Sequence, residues 1–108
     1  MTTTDKTRIV AEGFIRLLVQ EGKVREAFET YVDPRDYIQH DPLAEDGRDN
    51  AIRYIEGLLR DSPDFQAEVK RILVDGDLFA AHIHVKTNSE DIGTAVVDIF
   101  RVVNGKIV

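Results

Sequence analysis

The sequence predicts an α+β fold in which three N-terminal helices pack on an antiparallel sheet. Apolar residues recur at helical spacing up to Ser62-Pro63 and alternate at strand spacing after it. The strand-like part carries two hairpin signals, Asp75-Gly76 and Asn104-Gly105. A chain of 108 residues can bury a sizeable core, and we expect one domain over residues 1–108.

Two helices are predicted in the first third of the chain. The first is capped by Thr4 or Asp5 and runs to about Gln20. The second spans Val24 to Tyr31 and ends at Asp33-Pro34, because proline disfavours helix in the residue before it. The first helix carries one apolar stripe: Val10, Phe14, Leu17 and Leu18.

The third predicted helix follows an acidic loop, Leu43 to Asp49. Asp49 is its expected cap, and the helix ends before Ser62-Pro63. Everything after Pro63 is strand-like, so the helices should lie on one side of a sheet formed by the C-terminal half.

Two strands, Phe65 to Val74 and Asp77 to Lys86, are predicted to form the first hairpin. A tight Asp75-Gly76 turn places Val69 opposite His82. We expect the less polar face of this hairpin to pack on the helices. That face collects eight residues: Phe65, Ala67, Val69, Leu73, Leu78, Ala80, His82 and His84.

A lone carboxylate, Asp98, interrupts the apolar strand from Ala95 to Val103. Burial of Phe100 and Val102 on the same face turns Asp98 inward, although a one-residue slip in register would expel it. A buried acid is costly unless it is paired or used in chemistry. We therefore predict a pocket in which Asp98 lies within hydrogen-bond or one-water reach of a histidine, His82 or His84.

Three motifs resemble the SnoaL-like (polyketide cyclase-like) branch of the nuclear-transport-factor-2-like superfamily. They are Tyr37-Ile38-Gln39-His40-Asp41-Pro42, His82-Ile83-His84, and the run from Val97-Asp98-Ile99-Phe100-Arg101 to Asn104-Gly105-Lys106-Ile107-Val108. The resemblance covers nearly the whole chain. It implies a cone-like fold with a strongly curved sheet and an internal pocket. It also implies that the final strand is cut short here, since similar proteins continue past this point.

The resemblance implies that Asp98 is a general acid/base, as in intramolecular aldol condensation. Our first hypothesis is therefore a cofactor-independent enzyme of cyclase or isomerase type that acts on a small apolar or aromatic carbonyl compound. Asp98 would move a proton α to the carbonyl, with His84 or His82 as the electrophile. The substrate would be bound by four further residues: His40, Tyr37, Phe100 and Val69.

The second hypothesis is a non-catalytic small-molecule-binding or dimerisation module in which Asp98 and the histidines form an inert polar cluster. A surface position is the alternative for His40, and a satisfied core position for His82 and His84. Two histidines and a carboxylate can also bind non-haem iron, but no further signature supports a metal. We expect neither a metal nor a cofactor.

The composition limits the kinds of metal site and binding partner that the protein can have. The chain has no cysteine, which excludes a disulfide framework and a thiolate metal site. Its net charge of −6 argues against nucleic acid and anionic membranes, and with no signal region or membrane span in the sequence we expect a cytoplasmic protein. We also predict a homodimer through an apolar patch on the outer sheet face: Phe79, Ala81, Ile83, Val85, Val97 and Ile99.

Overall fold

The computed structural model describes residues 1–40 and 45–108. Its helices are α1 (Thr3–Ile15), which continues as a π-helical turn (Arg16–Gln20), α2 (Val24–Tyr31) and α3 (Arg48–Asp61). Its strands are β1 (Gln66–Asp75), β2 (Leu78–Lys86), β3 (Thr94–Val103) and β4 (Lys106–Ile107), in the sheet order β1-β2-β3-β4. The antiparallel pairing confirms the predicted α+β fold.

Two of the expectations fall on residues outside that description. They are the Asp41-Pro42 end of the first motif and the start of the acidic loop at Leu43. In the remainder of the chain, the helices are too short or too polar to cross a lipid bilayer.

A capping box starts α1 earlier than predicted. The Thr2 hydroxyl accepts the N–H of Asp5, and the Asp5 carboxylate accepts the N–H of Thr2, both at 3.0 Å. One of the two expected caps, Thr4, has another role, because its hydroxyl accepts the N–H of Gly76 at 3.1 Å. The start of α1 is thereby tied to the turn between β1 and β2.

The core lies between the helices and one face of the sheet, called here the inner face. Helix α1 packs on β1 and β2. A line of aromatic rings extends through the core to β3, each ring in contact with the next, with centroids 4.8 to 6.2 Å apart. In order along the line, the rings are those of Tyr37, Phe28, Phe14, Phe100 and Phe79.

The turn of the first hairpin lies one residue later than predicted. Asp75 pairs with Leu78, so the two turn residues are Gly76 and Asp77. Gly76 has a φ of 59°, a left-handed conformation that glycine adopts without strain. The change moves the pairing by two positions, so the residues next to the turn keep their predicted relative faces.

A β-bulge at Lys70 changes the faces in the first half of β1. Val69 pairs with Ile83, but the next pair is Arg71 with His82, which leaves Lys70 as an extra residue. Side chains before the bulge therefore point to the opposite face from the one that uninterrupted alternation predicts. The inner face of the hairpin consists of apolar residues only: Ala67, Val69, Ile72, Val74, Phe79, Ala81, Ile83 and Val85.

The predicted packing face is consequently wrong for β2 and for the half of β1 that follows the bulge, where Ile72 and not Leu73 points inward. Phe79, Ala81 and Ile83 are at most 5% exposed and belong to the core. They were expected on the outer face, in the patch that would form the dimer. The residues expected in their place, Leu73 among them, point outward, and Leu73 is 63% exposed.

The second hairpin forms at Asn104-Gly105 as predicted. Both turn residues have positive φ, 51° and 81°, as a type I′ turn requires. Ile107 of β4 is fully buried, pairs with Val102 of β3 and forms a parallel bridge with Val32. This short strand therefore ties β3 to the segment that follows α2.

Candidate functional site

Asp98 lies on the inner face, in a row that crosses three strands. The strand register pairs Asp98 of β3 with Ala81 of β2, and Ala81 with Ile72 of β1. Val96 and Phe100 lie on either side of Asp98 on the same face of β3. Every other inner-facing residue of the four strands is uncharged, so Asp98 is the one ionisable group that the sheet directs to this side.

The row changes from buried to exposed as it approaches Asp98. Ala81 is fully buried and Ile72 is partly buried against the core, whereas Asp98 is exposed. A carboxylate in this position can exchange a proton with a small molecule that lies against Val96 and Phe100.

His82 and His84 lie on the outer face, so the predicted cluster with Asp98 does not form. His82 pairs with Val97 and His84 with Ala95, which point away from the helices. Because directly opposed residues share a face, the sheet separates both imidazoles from Asp98. The prediction of hydrogen-bond reach was wrong, because the bulge at Lys70 moves Ala67 and Val69 inward without the histidines.

His84 holds the loop between β2 and β3. Its Nε2 lies 2.9 Å from the carbonyl oxygen of Ile92, and because a carbonyl only accepts, Nε2 is the donor. Gly93, with a φ of 92°, lies directly against the ring. A Cβ at Gly93 would stand 2.2 Å from His84 Nε2 and 2.8 Å from the carbonyl oxygen of Val85.

Asp91 orders the same loop. Its carboxylate accepts the N–H of Gly93 at 3.0 Å, the N–H of Thr87 at 3.1 Å and the Thr87 hydroxyl at 3.2 Å. These bonds favour the charged form, the one from Gly93 most strongly, and lower the pKa of Asp91 below its usual 3.8. The loop that leads into β3 is therefore fixed by His84 from the sheet and by Asp91 from within.

The other predicted site residues are distributed between the core and the surface. Phe100 and Val69 lie on the inner face with Asp98. Tyr37 is buried at the end of the aromatic line, and its hydroxyl donates to Oε1 of Gln39. His40 is exposed. The structure thus brings Phe100 and Val69 to the side of the sheet that carries Asp98.

Sequence reasoning missed Ala81 and Ile72 as the neighbours of Asp98, although a signal was present. The apolar alternation of β1 skips one residue at Lys70-Arg71. A skip of this kind is typical of a bulge, because one extra residue changes the face of all that precede it. The two apolar pairs on either side of the skip are Ala67 and Val69, then Ile72 and Val74.

The structure does not assemble the ligand set considered for iron. In the described part of the chain, no three His, Asp or Glu side chains are grouped so as to hold a metal ion. A groove of about 390 Å³ lies at the end of the first hairpin that is away from its turn, and Asp98 is not among the residues that line it. It is lined by Gln66, Ala67, Glu68, Lys70, His84 and Lys86.

Helices packed on one face of an antiparallel sheet, with a carboxylate on that face, define an α+β protein of the nuclear-transport-factor-2-like fold. The chain belongs to the SnoaL-like domain family, which matches residues 11–108. The predicted family is therefore confirmed. No curated protein matches the chain.

Solved structures share the fold. A protein named as a ketosteroid isomerase, from Kribbella flavida, is 24% identical with a TM-score of 0.75 over 99% of this chain and 76% of that one. A protein named as a SnoaL-like polyketide cyclase, from Jannaschia, is 21% identical with a TM-score of 0.67 over 91% and 79%. An epoxide hydrolase of M. tuberculosis is 18% identical with a TM-score of 0.64 over 99% and 76%. At these identities the likeness shows the fold.

Proposed function

We propose that the protein is an acid/base enzyme that acts on a small carbonyl compound and uses Asp98 to take and return a proton. One observation carries this proposal: Asp98 is the one ionisable side chain on the inner face of the sheet, and it is exposed where the packed core ends. Membership of the SnoaL-like family supports it. So do the names of two structural neighbours, a ketosteroid isomerase and a polyketide cyclase.

The proposed reaction begins with removal of a proton from the carbon next to a carbonyl group. Such a step needs a base within reach and a donor that stabilises the oxygen as charge develops. Asp98 is the base, and Val96 and Phe100 contact an apolar or aromatic part of the substrate. Since the sheet separates His82 and His84 from Asp98, and the Tyr37 hydroxyl already donates to Gln39, the proposed donor is His40. The step moves a proton and uses no cofactor.

The test is exchange of carbon-bound hydrogen in D₂O, followed by NMR over a panel of small ketones and β-keto esters. The Asp98→Asn protein should lose exchange by about a hundredfold or more, since general-base catalysis contributes that much. Its melting temperature should stay close to that of the wild type, because Asp98 is exposed and substitutions at exposed positions usually change stability little. Glu68→Gln is the matched control, because it removes a carboxylate from the outer face of the same sheet. Unchanged exchange in Asp98→Asn would refute the proposal.

The alternative function is a non-catalytic small-molecule-binding or dimerisation module. The observation in its favour is the dense packing of the inner face, where Phe79, Ala81 and Ile83 are at most 5% exposed. A module of this kind would bind panel compounds without catalysing exchange, and Asp98→Asn would change neither property. Titration calorimetry beside the exchange assay therefore separates the two functions.

We also propose a cytoplasmic homodimer that associates through the outer sheet face. Of the six residues predicted for this patch, Val97 and Ile99 point outward and are 59% and 72% exposed. Leu73 and Leu78 join them on that face, at 63% and 36% exposed. Exposed apolar side chains grouped across three strands are typical of a contact between proteins.

A further inference from the structure

The groove of the first hairpin, called here the hairpin groove, lies on the outer face of the sheet. Four of its six lining residues form two cross-strand pairs, Gln66 with Lys86 and Glu68 with His84. Directly opposed residues share a face, and His84 points outward, so all four side chains lie on that side. The sheet therefore separates the groove from Asp98. Its volume of about 390 Å³ is within the range of small-molecule sites in proteins.

The bulge in β1 adds a further cation to the hairpin groove. In a regular strand, Lys70 and Arg71 would point to opposite faces. Here Arg71 pairs with the outward residue His82, while Nζ of Lys70 lies 3.2 Å from Oε1 of Glu68 on the same face. Both cations are therefore on the outer side, and Lys70 lines the groove. Bulges redirect a side chain in this way because one extra residue interrupts the alternation.

The hairpin groove is basic although the chain as a whole is acidic. Two lysine charges against one glutamate charge leave a net charge of +1 in its lining, whereas the chain carries −6. Glu68 is paired with Lys70, but within residues 1–40 and 45–108 no carboxylate forms an ion pair with Lys86. Lys86 helps to lower the pKa of Asp91, whose two oxygens already accept bonds from their own loop. The Lys86 ammonium is therefore the group that a bound anion would pair with.

One wall of the hairpin groove is fixed before any ligand binds. Nε2 of His84 donates to the carbonyl oxygen of Ile92 at 2.9 Å, and Gly93 lies directly against the ring. The imidazole cannot turn without breaking this bond to the loop. Because Nε2 carries the proton, Nδ1 of the neutral ring is an acceptor. A wall that is ordered in advance lowers the entropy cost of binding.

We infer that the hairpin groove binds the carboxylate of a small organic acid. The Lys86 ammonium would pair with the carboxylate, and the side-chain amide of Gln66, on the opposing strand position, would donate to its second oxygen. The net charge of +1 matches a singly charged carboxylate. A phosphate group carries about −1.5 to −2, which would leave negative charge uncompensated beside Glu68. This site does not depend on the enzymatic proposal, since Asp98 lies on the other side of the sheet.

The first test is an NMR titration of the wild-type protein with sodium lactate at constant ionic strength. The amides of Gln66, His84 and Lys86 should shift and reach saturation. Lactamide, which has the same shape without the charge, should leave them unchanged, and inorganic phosphate should bind more weakly than lactate. Shifts that rise linearly without saturation, or equal shifts with lactamide, would overturn the inference. Tighter binding of phosphate would overturn the assignment to a carboxylate.

The second test compares three charge variants in the same titration, with circular dichroism to confirm folding. Lys86→Gln should weaken lactate binding by about tenfold or more, because it removes a charge-assisted hydrogen bond. Lys6→Gln removes the same charge from the exposed side of α1 and should keep the wild-type affinity. Glu68→Gln removes the opposite charge from the groove and should bind lactate at least as tightly as the wild type. Equal weakening by both lysine variants, or weaker binding by Glu68→Gln, would overturn the inference.

Two further measurements separate this inference from the other proposals. Asp98→Asn should bind lactate like the wild type, so a failure of the exchange assay and a failure of the hairpin groove can be told apart. A second copy of the chain is the competing occupant, because the groove shares the outer face with Val97 and Ile99. If its acidic side chains filled the groove, lactate would displace them and the sedimentation mass would fall. That result would overturn the inference, whereas a constant mass during saturable binding supports it.

Discussion

The two faces of β2 lie in opposite environments although their residues alternate along one strand. The inner face presents Phe79, Ala81 and Ile83 to the helices, all nearly inaccessible to solvent. The outer face presents His82 and His84 to solvent and to the loop before β3. Neither set is strongly polar, so the residues of β2 alone do not decide which face is buried. The decision is made by β1, whose bulge lets both of its halves direct apolar residues inward.

The two faces should differ most in the loss of stability that a substitution at Phe79 causes. Replacement by alanine removes a fully buried ring that stacks on Phe100, and we expect a loss of about 3–5 kcal/mol in the free energy of unfolding. Leu73→Ala, on the outer face and 63% exposed, should stay within about 0.5 kcal/mol. Urea denaturation of both proteins checks the pair. Equal losses would mean that the faces are not as different as the structure shows.

Gly93→Ala tests the outer face where it supports the loop. The new Cβ would collide with His84 Nε2 and with the carbonyl oxygen of Val85, at a backbone φ of 92°. We expect a loss of about 1–3 kcal/mol from strain of this kind. The double variant with His84→Ala should lose less than the sum of the two single variants, because one of the collisions is gone. Strict additivity in thermal unfolding would contradict contact between the two residues.

The smallest expected effect is a pH dependence of the same loop. Since the pKa of Asp91 is lowered on folding, its contribution to stability is present above the usual 3.8 and is lost as the pH falls through the lowered pKa. Asp91→Asn should therefore flatten the acid limb of the stability curve between about pH 6 and pH 2. Urea unfolding across that range measures it. A curve identical to the wild type would show that the bonds from Gly93 and Thr87 do not stabilise the charged form.

Most of the fold could be predicted from short sequence signals. Pro34 and Pro63 mark the ends of helices, and Asn104-Gly105 fixes the second hairpin through its own backbone preferences. The inward direction of Asp98 was also predictable, because Phe100 and Val102 on the same face need burial. These inferences depend on a few adjacent residues, and for that reason they could be made from the sequence.

Whether Asp98 and the histidines share a face of the sheet depends on structural features that lie far apart in the chain. It requires the turn at Gly76, the bulge at Lys70 and the pairing of β3 to be correct together. A single extra residue reverses a face, so one unrecognised bulge was enough to place His82 and His84 on the wrong side. The skip in apolar alternation at Lys70-Arg71 was visible in the sequence. Whether it marks a bulge or only a polar pair in a regular strand could be decided only from the packing.

The bulge at Lys70 also decides how this strand would respond to a change in length. An in-frame deletion of Lys70 alone would join Val69 to Arg71, so that their pairs with Ile83 and His82 would follow one another without interruption. Ala67 and Val69 would keep their inward direction and Glu68 its outward one, with every other codon unchanged. Loss of one residue inside a regular strand exchanges the two sides of part of that strand, whereas loss of this one codon would only remove the extra residue and leave a regular ladder.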